Sequence, residues 1–492
     1  MAYAPYRKRV VSTDDAASLI PDEARVGISG FTHAGDAEEV LLALAEQVRH
    51  GRDCRIELMT GASVSSRLEA ALVEQHMLLR QIPFQSEPHL RAAINNGEIQ
   101  YLDFHLGEMP AKLRRGELGS LDVAILEAAA ILEDGSIIPT TSVGNPPLFA
   151  QMANQVIIEL NQAQPVDLRG MHDIYSEGIT SQDALSSLRE PGERIGTIQI
   201  PLQPEKVVAV VGTDNCDEPA TLRPSDETTE KMAGYLCAFL QEEVTRGRLR
   251  TPLPPLQAGV GTLANAVFAG LRDSPFTQLQ VYSEVIQDAM MELMDEGRLQ
   301  LASASALTLS ASGQRYLSQL DRFRERIVLR PQEVSNHPGV IRKLGVIAIN
   351  TALEVSLYGQ VNSTHLGGSQ VVNGIGGSGD YARNATLAIF VCKSTAADGK
   401  ISRIVPMVPH VDHPWQDVDV IVTEQGLADL RNLSPRQRAE KLIQECVHPR
   451  FRDALRDYYR QASKAGGHTP HLLTEALRWH QRWLETGDML PS

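Results

Sequence analysis

The sequence predicts an α/β fold made of two related α/β domains, each with a mainly parallel sheet. Two observations lead to this prediction: short β-rich runs alternate with helical lengths of chain, and part of the first half recurs in the second half. Such alternation is typical of parallel strands joined by helices that cover the sheet. In the first half the predicted strands lie at Arg55–Thr60, Ile99–Phe104, Asp122–Leu126, Gln155–Leu160 and Lys206–Val211.

The first structural unit along the chain is predicted over residues 24–48, as a strand, a glycine turn and a helix. The turn contains Ser29-Gly-Phe-Thr-His-Ala-Gly35, and the acids of Asp36-Ala-Glu-Glu39 follow it. Acidic side chains are favoured in the first turn of a helix because they complement its positive end. We therefore expect a βα unit at this position.

The recurrence in the second half has a constant register. Val123–Gly135 aligns with Ile347–Gly359, an offset of 224 from residue 123 to residue 347, and the same offset lays Arg55–Thr60 on Leu279–Glu284. Internal self-similarity of this kind indicates a repeated structural unit. The first half carries only Thr60 where the second half carries Glu284, so only the second domain supplies an acid at this strand end.

A change of composition marks the predicted domain boundary. Residues 213–226 are polar and acidic, and residues 226–249 have the pattern of one amphipathic helix. At 492 residues the chain is too long for one ordinary core. We therefore expect an N-terminal α/β domain over residues 1–224 and a C-terminal α/β domain over residues 225–492 that carries Glu284.

Charge and hydropathy exclude several classes of partner. The chain has 46 basic and 61 acidic residues and a net charge of -15, which argues against nucleic acid and anionic membranes. No apolar run approaches the ~20 residues of a membrane span, so we expect no membrane partner and a cytoplasmic location. The cysteines form no Cys-x-x-Cys pair, which indicates free thiols rather than disulfides or a zinc site. They are Cys54, Cys216, Cys237, Cys392 and Cys446.

The candidate catalytic residue lies in Gln280–Asp288, a short apolar run that predicts a buried strand with Glu284 near its end. Glycine-rich stretches lie on either side in sequence, at Gly259-Val-Gly261 and Asn373–Asp380. Backbone N–H groups approach a ligand closely only where side chains do not intervene, and two such loops can direct amides at one oxyanion. Glu284 is our candidate for the residue on which the chemistry takes place; the alternative is an ordinary salt-bridging acid at a strand end.

Dinucleotide binding is the main competing hypothesis. Gly259-Val-Gly261-Thr-Leu-Ala264 fits a G-x-G-x-x-A fingerprint, and Glu284 lies about where an acid binds the ribose. However, Pro252-Leu-Pro-Pro255 makes a poor central strand because proline donates no ladder hydrogen bond. Gly374–Gly379 also fits the pattern, without a clear ribose acid. Two imperfect fingerprints favour another phosphate-bearing or oxyanion-bearing ligand.

A possible metal-ligand cluster occurs at His410-Val-Asp412-His413, with three candidate ligands in four residues. No fourth ligand with a recognisable spacing accompanies it. A loop of hydrogen-bonded and ion-paired side chains is the favoured interpretation, and we expect no metal.

Several long motifs in fixed order resemble the acetyl-CoA hydrolase/transferase family, the class I coenzyme A transferases that include acetate- and propionate-handling succinyl-CoA transferases. The likeness runs through nearly the whole chain. It is strongest at Ser29–Gly35, Gln257–Gly261, Tyr282–Asp288, Ile327–Asn336, Asn362–His365, Asn373–Asp380 and Val408–His413.

The resemblance implies that Glu284 forms first an acyl-glutamyl anhydride and then a glutamyl-CoA thioester. It implies an oxyanion pocket made by the backbone N–H groups of Val260 and Gly377, with help from the Asn336 side chain. Anhydride and thioester intermediates conserve the acyl activation energy, so the reaction needs no ATP. CoA is expected as a substrate, with no tightly bound cofactor, along Gly259, Val260, Gly261, Thr262, Leu263, Leu353, Asn373 and Gly377.

The expected activity is transfer of CoA between a short-chain acyl-CoA, such as acetyl-, propionyl- or succinyl-CoA, and a carboxylic acid, by a homodimer. The alternatives are acetyl-CoA hydrolysis on the same glutamate and, more distantly, an NAD-dependent oxidoreductase or a non-catalytic acyl-CoA sensor. The chain departs from the family at Ala397, where members often carry a lysine, so Lys393 or Lys400 is the candidate to replace that contact with CoA phosphate.

Overall fold

The computed structural model has the predicted alternation of strands and helices, and it describes residues 3–176 and 183–491. In chain order the strands are β1 (Ala24–Ile28), β2 (Ile56–Met59), β3 (Leu78–Ile82), β4 (Gln100–Tyr101), β5 (Val123–Ala128), β6 (Ala130–Ile131), β7 (Ile137–Ile138), β8 (Gln155–Asn161), β9 (Val207–Thr213), β10 (Leu256–Ala258), β11 (Leu279–Tyr282), β12 (Val285–Ile286), β13 (Leu299–Ala304), β14 (Ala306–Leu307), β15 (Ile327–Leu329), β16 (Ile347–Thr351), β17 (Glu354–Ser356), β18 (Val361–Asn362), β19 (His365–Leu366), β20 (Gln370–Val371), β21 (Leu387–Val391), β22 (Thr395–Ala396), β23 (Ile401–Ser402), β24 (Ile404–Val405), β25 (Val420–Thr423) and β26 (Gly426–Asp429).

The helices cover the sheets and connect their strands. The α-helices are α1 (Thr13–Ser18), α2 (Glu39–Arg49), α3 (Ser66–Glu74), α4 (Pro88–Asn95), α5 (Met109–Arg114), α6 (Pro146–Met152), α7 (Asp183–Ser187), α8 (Glu227–Thr245), α9 (Thr262–Ala269), α10 (Asp288–Asp295), α11 (Gln332–Ser335), α12 (Pro338–Leu344), α13 (Ser378–Asn384), α14 (Pro435–Glu445), α15 (Pro449–Lys464) and α16 (Arg478–Thr486). Shorter 3₁₀ segments lie at Ala4–Arg9, Leu106–Glu108, Val166–Leu168, Pro204–Lys206, Gly270–Asp273, Gly313–Arg322, Arg324–Arg326 and Trp415–Asp417.

The chain divides into two compact units. Unit 1 comprises Met1–Thr221 and Gln280–Leu344, and unit 2 comprises Leu222–Leu279 and Gly345–Ser492. The predicted α/β class with mainly parallel sheets is confirmed. The domain boundary between residues 224 and 225 stays a prediction: the first break between the units lies close to it, but the segment that carries Glu284 groups with unit 1.

The sheet of unit 1 has the strand order β4-β3-β2-β1-β5-β8-β9, and every neighbouring pair is parallel. Strand β5, which lies between β1 and β8, is buried along its whole length. A continuous apolar run is what a strand needs when helices cover both faces of the sheet. The core packs strand residues against α2 and α3, and includes Val26, Ile28, Ile56, Leu58, Ile125, Ile157, Leu41, Leu44 and Leu68.

The strand order of the first sheet recurs among the strands of the second half of the chain, part of it in unit 1 and part in unit 2. Unit 1 has β11, β13 and β15 in neighbouring order, as β2, β3 and β4 are in the first sheet. Unit 2 has the order β10-β16-β21-β25, which matches β1-β5-β8-β9, and adds β26 antiparallel to β25. The matching order supports the predicted relation between the two halves.

The offset of 224 residues holds closely for some strands of this repeat and fails for others. β5 and β16 begin at residues 123 and 347, as the offset of 224 requires, and β2 and β11 begin at residues 56 and 279, one residue short of it. However, β1 and β10 begin at residues 24 and 256, so the offset is eight residues longer there. The strands correspond, whereas the connections between them differ in length.

A cluster of buried carboxyl groups lies at the carboxyl end of the first sheet. Glu159 accepts hydrogen bonds from the first backbone N–H groups of α2, at 2.8 Å from Val40 N. Burial raises the pKa of Glu159 to about 8. Asp36 lines a cavity of about 10 Å³ with Glu127 and Asp217. Within the described residues neither carboxyl oxygen of Asp36 has a hydrogen-bond partner. Burial and the neighbouring Asp217 raise the pKa of Asp36 well above its usual range.

We expect this cluster to make the free energy of unfolding fall as pH rises from 5 to 8. The folded-state pKa of Glu159 is about 8 against an ordinary 4.5. The folded protein therefore holds more protons than the unfolded chain in this window, so stability is present at low pH and is lost as pH rises. Asp36→Asn should flatten this dependence and raise stability at pH 8, as measured by urea unfolding.

The matched control is Asp53→Asn, which alters an exposed carboxyl of the same unit and should keep the wild-type dependence on pH. If Asp36→Asn has the same slope as the wild type, Asp36 does not contribute to the pH dependence of stability.

Candidate active site

Glu284 occupies a break between two strands. β11 ends at Tyr282 and β12 begins at Val285, so Ser283 and Glu284 lie between the two strands. The backbone carbonyl of Glu284 accepts hydrogen bonds from Ser305 N at 2.8 Å and from Ala306 N at 3.2 Å. The residue as a whole is 5% exposed. The strand predicted over Gln280–Asp288 is present as far as Tyr282 and resumes as β12, and Glu284 lies in the break with its backbone carbonyl held.

Asn336 contacts the carboxylate of Glu284. Its side-chain Nδ2 donates to Glu284 Oε1 at 2.9 Å. Asn336 follows the last residue of α11 and is completely buried. The amide oxygen of Asn336 accepts a hydrogen bond from Ser335 Oγ at 2.8 Å, and Ser335 Oγ lies 2.8 Å from Ser305 Oγ. The structure thus brings together Glu284 and Asn336, two of the residues predicted from the sequence.

A buried ion pair anchors the segment that precedes Asn336. Arg330 follows β15, is completely buried and forms an ion pair with Asp173. Arg330 Nε also donates to Ser303 Oγ at 2.8 Å. The hydroxyl of Tyr282 hydrogen-bonds the carbonyl of Val334 in α11. No role was predicted for Arg330 or Asp173, although a charged residue directly after the apolar Ile-Val-Leu of β15 was a visible signal.

The glycine-containing loop after β1 packs beneath the Glu284 segment. Phe31 shares a buried cluster with Val285 and Ala306, and the hydroxyl of Thr32 contacts that of Thr308. Thr32 has a φ of +52°, in the left-handed region, so this contact depends on an unusual backbone conformation. The loop that carries the first family motif therefore supports the strand pair around the candidate nucleophile.

In unit 2, the first predicted glycine loop joins β10 to α9. Gly259 N donates to Ile349 O at 2.9 Å, and a Cβ at Gly259 would lie 3.2 Å from Asn350 Oδ1. Gly261 has a φ of +113° and precedes Thr262, the first residue of α9. The side chain of Val260 is exposed. The turn therefore needs glycine for its conformation and for its close approach to the neighbouring strand.

The second predicted glycine loop lies in the same unit. Gly377 precedes the first residue of α13, and Asn373 Nδ2 donates to Ser363 O at 3.2 Å and to Gly374 O at 2.8 Å. Leu353 N donates to Asn362 O at 2.9 Å, in the turn before β17. The assignment of these loops to CoA and to the oxyanion stays a prediction, as does the role of Val260 and Gly377 in catalysis.

The cluster at His410–His413 is a hydrogen-bonded loop. Asp412 accepts from Ser363 N at 2.6 Å, from Thr364 Oγ1 at 2.9 Å and from His410 Nε2 at 3.1 Å. Within residues 3–176 and 183–491 no group of His, Cys, Asp or Glu side chains is arranged to hold a metal ion. The Asp412 carboxylate is engaged by these neighbours.

The position where the family often has lysine lies in an exposed hairpin turn. Ala397 and Asp398 both have left-handed backbone conformations between β22 and β23. Lys393 Nζ forms an ion pair with Asp226 at 2.8 Å, and this contact lowers the pKa of Asp226 to about 2. Lys400, which ends the turn, is exposed. The contact of Lys393 or Lys400 with CoA phosphate stays a prediction.

Comparison with known proteins assigns the chain to a family. Residues 1–212 match the acetyl-CoA hydrolase/transferase N-terminal domain, and residues 313–459 match the corresponding C-terminal domain. The chain belongs to the acetyl-CoA hydrolase/transferase family. The predicted resemblance and enzyme class are confirmed.

Curated members of the family include both activities. The chain is 44% identical to a succinyl-CoA:acetate CoA-transferase of Clostridium kluyveri, over 98% of this chain and 90% of the relative. It is 40% identical to a propanoyl-CoA:succinate CoA transferase of Escherichia coli, over 98% of each protein. It is also 40% identical to an acetyl-CoA hydrolase of Schizosaccharomyces pombe, over 99% of this chain and 97% of the relative.

Solved structures share the fold. RipA from Yersinia pestis superposes with a TM-score of 0.74 at 22% identity, over 94% of this chain and 98% of that one. A 4-hydroxybutyrate CoA-transferase from Porphyromonas gingivalis has a TM-score of 0.64 at 22% identity, over 93% and 98% of the two chains. No helix in the described part of the chain has the length and apolar character needed to cross a bilayer.

Removal of Arg330 should destabilise the segment that holds Asn336. Arg330→Met leaves the buried carboxylate of Asp173 without its cation, so we expect a loss of about 3–5 kcal/mol in the free energy of unfolding. The double variant Arg330→Met/Asp173→Asn should recover part of the loss, because no uncompensated charge remains. Chemical denaturation of the variants measures both effects.

The control is Arg115→Met, which breaks the exposed ion pair between Arg115 and Glu117 and should change stability little. Equal stability of the Arg330→Met single and double variants would show that the lost charge pair is not the cause.

Proposed function

We propose that the protein transfers CoA from a short-chain acyl-CoA to a carboxylic acid, with Glu284 as the covalent nucleophile. The observation that carries this proposal is the buried Glu284 carboxylate, which lies at a strand break with one oxygen held by Asn336. Family membership and the names of the relatives support the substrate classes, which are CoA thioesters of acetate, propionate or succinate.

The proposed reaction has two half-reactions, each made of two displacement steps. A carboxylate oxygen of Glu284 attacks the thioester carbonyl carbon, the C–S bond breaks, and CoA leaves as its thiolate. The thiolate then attacks the glutamyl carbonyl carbon of the anhydride and displaces the acyl group as a free carboxylate. An acceptor carboxylate reverses these two steps on the glutamyl-CoA thioester and leaves as the new acyl-CoA. Both intermediates conserve the activation energy of the original thioester.

Each attack forms a tetrahedral oxyanion, which requires hydrogen-bond donors. Asn336 Nδ2 is a donor already directed at the carboxylate of Glu284. On the strength of the family resemblance we assign the backbone N–H groups of Val260 and Gly377 to the same task, and Gly259–Leu263, Leu353 and Asn373 to CoA. Donors of this kind are worth roughly 3 kcal/mol each in other oxyanion holes.

Burial of Glu284 favours transfer over hydrolysis. A glutamyl thioester on a residue that is only 5% exposed has limited access to bulk water. Exclusion of water suppresses hydrolysis of reactive intermediates. Hydrolysis of acetyl-CoA on the same glutamate is the second candidate function, supported by relatives named as acetyl-CoA hydrolases. CoA enters as a substrate without a tightly bound cofactor; the homodimer and the cytoplasmic location stay predictions.

The test of the nucleophile is Glu284→Gln. An amide cannot attack the thioester, so we expect at least a roughly thousandfold loss of transfer, comparable to other enzymes that lose their nucleophile. Glu284→Asp should lose roughly a hundredfold, because the shorter side chain misplaces the carboxylate. The exposed Glu296→Gln should keep wild-type activity. Borohydride treatment with acyl-CoA should reduce the glutamyl thioester to an alcohol and change the mass of the peptide that contains Glu284.

If that peptide stays unmodified and Glu284→Gln, confirmed free of deamidation, retains wild-type turnover, Glu284 is not the nucleophile.

The balance between the two activities is measured as acetyl-CoA consumption with and without an acceptor acid. We expect succinate to accelerate consumption by roughly tenfold or more, because a buried thioester is poorly accessible to water. Appearance of succinyl-CoA should match the loss of acetyl-CoA. Equal rates with and without succinate, with no succinyl-CoA formed, would identify the protein as a hydrolase.

A further inference from the structure

We infer that Ser335, supported by Ser305, is a positioning residue that fixes the orientation of the Asn336 amide towards Glu284. This inference rests on the proposed function, because it assigns a task to residues around the proposed nucleophile. Both serines act on the carboxylate through Asn336.

The orientation of Asn336 matters because the two ends of an amide have opposite roles. Nδ2 is a donor and stabilises the carboxylate of Glu284, whereas Oδ1 is an acceptor and would repel it. The two orientations differ by a simple rotation of the amide and have nearly the same shape. The carboxylate itself favours the orientation in which Nδ2 lies 2.9 Å from Glu284 Oε1, and a second hydrogen bond, to Oδ1, reinforces it.

Ser335 provides this second hydrogen bond. Its Oγ donates to Asn336 Oδ1 at 2.8 Å, and a rotated amide would lose this bond at the same time as it turned Oδ1 towards the Glu284 carboxylate. A hydroxyl has a single proton to donate. Since that proton goes to Asn336, the contact of 2.8 Å between the two serine hydroxyls requires Ser305 to donate and Ser335 to accept.

The result is a directed chain from Ser305 through Ser335 and Asn336 to Glu284, with every proton pointing towards the carboxylate. Ser305, Ser335 and Asn336 are completely buried. In a buried site, hydrogen bonds in series polarise one another and strengthen the last donor. The donor at the end of this chain is Asn336 Nδ2.

The backbone closes the chain into a ring. Ser305 N donates to the carbonyl of Glu284 at 2.8 Å, so Ser305 is anchored to the same residue whose carboxylate the chain reaches. Val143 N donates to the carbonyl of Ser305 at 2.8 Å and holds it from the other side. The backbone of Ser305 therefore ties the start of the hydrogen-bonded chain to the residue at its end.

The experiment compares Ser335→Ala, Ser305→Ala and the control Ser402→Ala. Ser402 is a buried serine outside the ring, and its hydroxyl donates to Ile404 O at 2.6 Å. We expect Ser335→Ala to lower kcat roughly tenfold with KM unchanged, less than the roughly hundredfold loss for a donor that contacts the reacting atoms. Ser305→Ala should have a smaller effect, because Ser335 still donates to Asn336. Ser402→Ala should keep wild-type kcat.

A double-mutant cycle separates positioning from a general structural role. In an Asn336→Ala background Ser335→Ala should have no further effect on kcat, since the residue through which it acts is gone. Independent multiplication of the two losses would overturn the inference. So would a wild-type kcat in Ser335→Ala, provided that thermal unfolding confirms a folded protein.

The two proposals fail in different ways. If Glu284→Gln is inactive and forms no adduct while Ser335→Ala is fully active, only the role of Ser335 is wrong. If Glu284→Gln is active, the nucleophile itself is wrong. Ser335→Ala should still form the borohydride-reducible adduct on Glu284, at a lower rate than the wild type.

Discussion

Burial of the Glu284 carboxylate is the constraint on which the site depends. A charged group removed from water must receive hydrogen bonds from the protein, or its burial costs several kcal/mol. Asn336 is one such donor, and its place at the end of α11 is supported in turn by Tyr282 and Arg330. The local fold therefore supports one carboxylate. β11 leads to Glu284, and the ion pair of Arg330 and Asp173 anchors the segment that precedes Asn336.

Much of this could be predicted from the sequence where the signal is local. The apolar run of β5, a buried strand leading towards Glu284 and the glycines around Val260 each follow from residue type and spacing over a few positions. The segment predicted as a strand at Ile99–Phe104 is only the two-residue β4, at one edge of the first sheet.

The supporting contacts could not be predicted, because they join residues far apart in the chain. Arg330 and Asp173 are separated by 157 positions, and neither segment contains a sequence signal that points to the other. Ser305 and Ser335 are 30 positions apart, and serine is so common a residue that neither one attracts notice in the sequence. The acidic cluster was equally hidden: Asp36 was expected to help open a helix, but α2 begins at Glu39 and its first N–H groups bind Glu159.

The acidic cluster of the first sheet has a consequence for the number of protons that the chain binds when it folds. Carboxyl groups that are ionised in the unfolded chain become neutral when they enter an environment that raises their pKa, as for Glu159 and Asp36. Folding at neutral pH is therefore a proton-consuming reaction for this chain. Its heat of folding will depend on the ionisation enthalpy of the buffer, and each folding event draws protons from the surrounding solution.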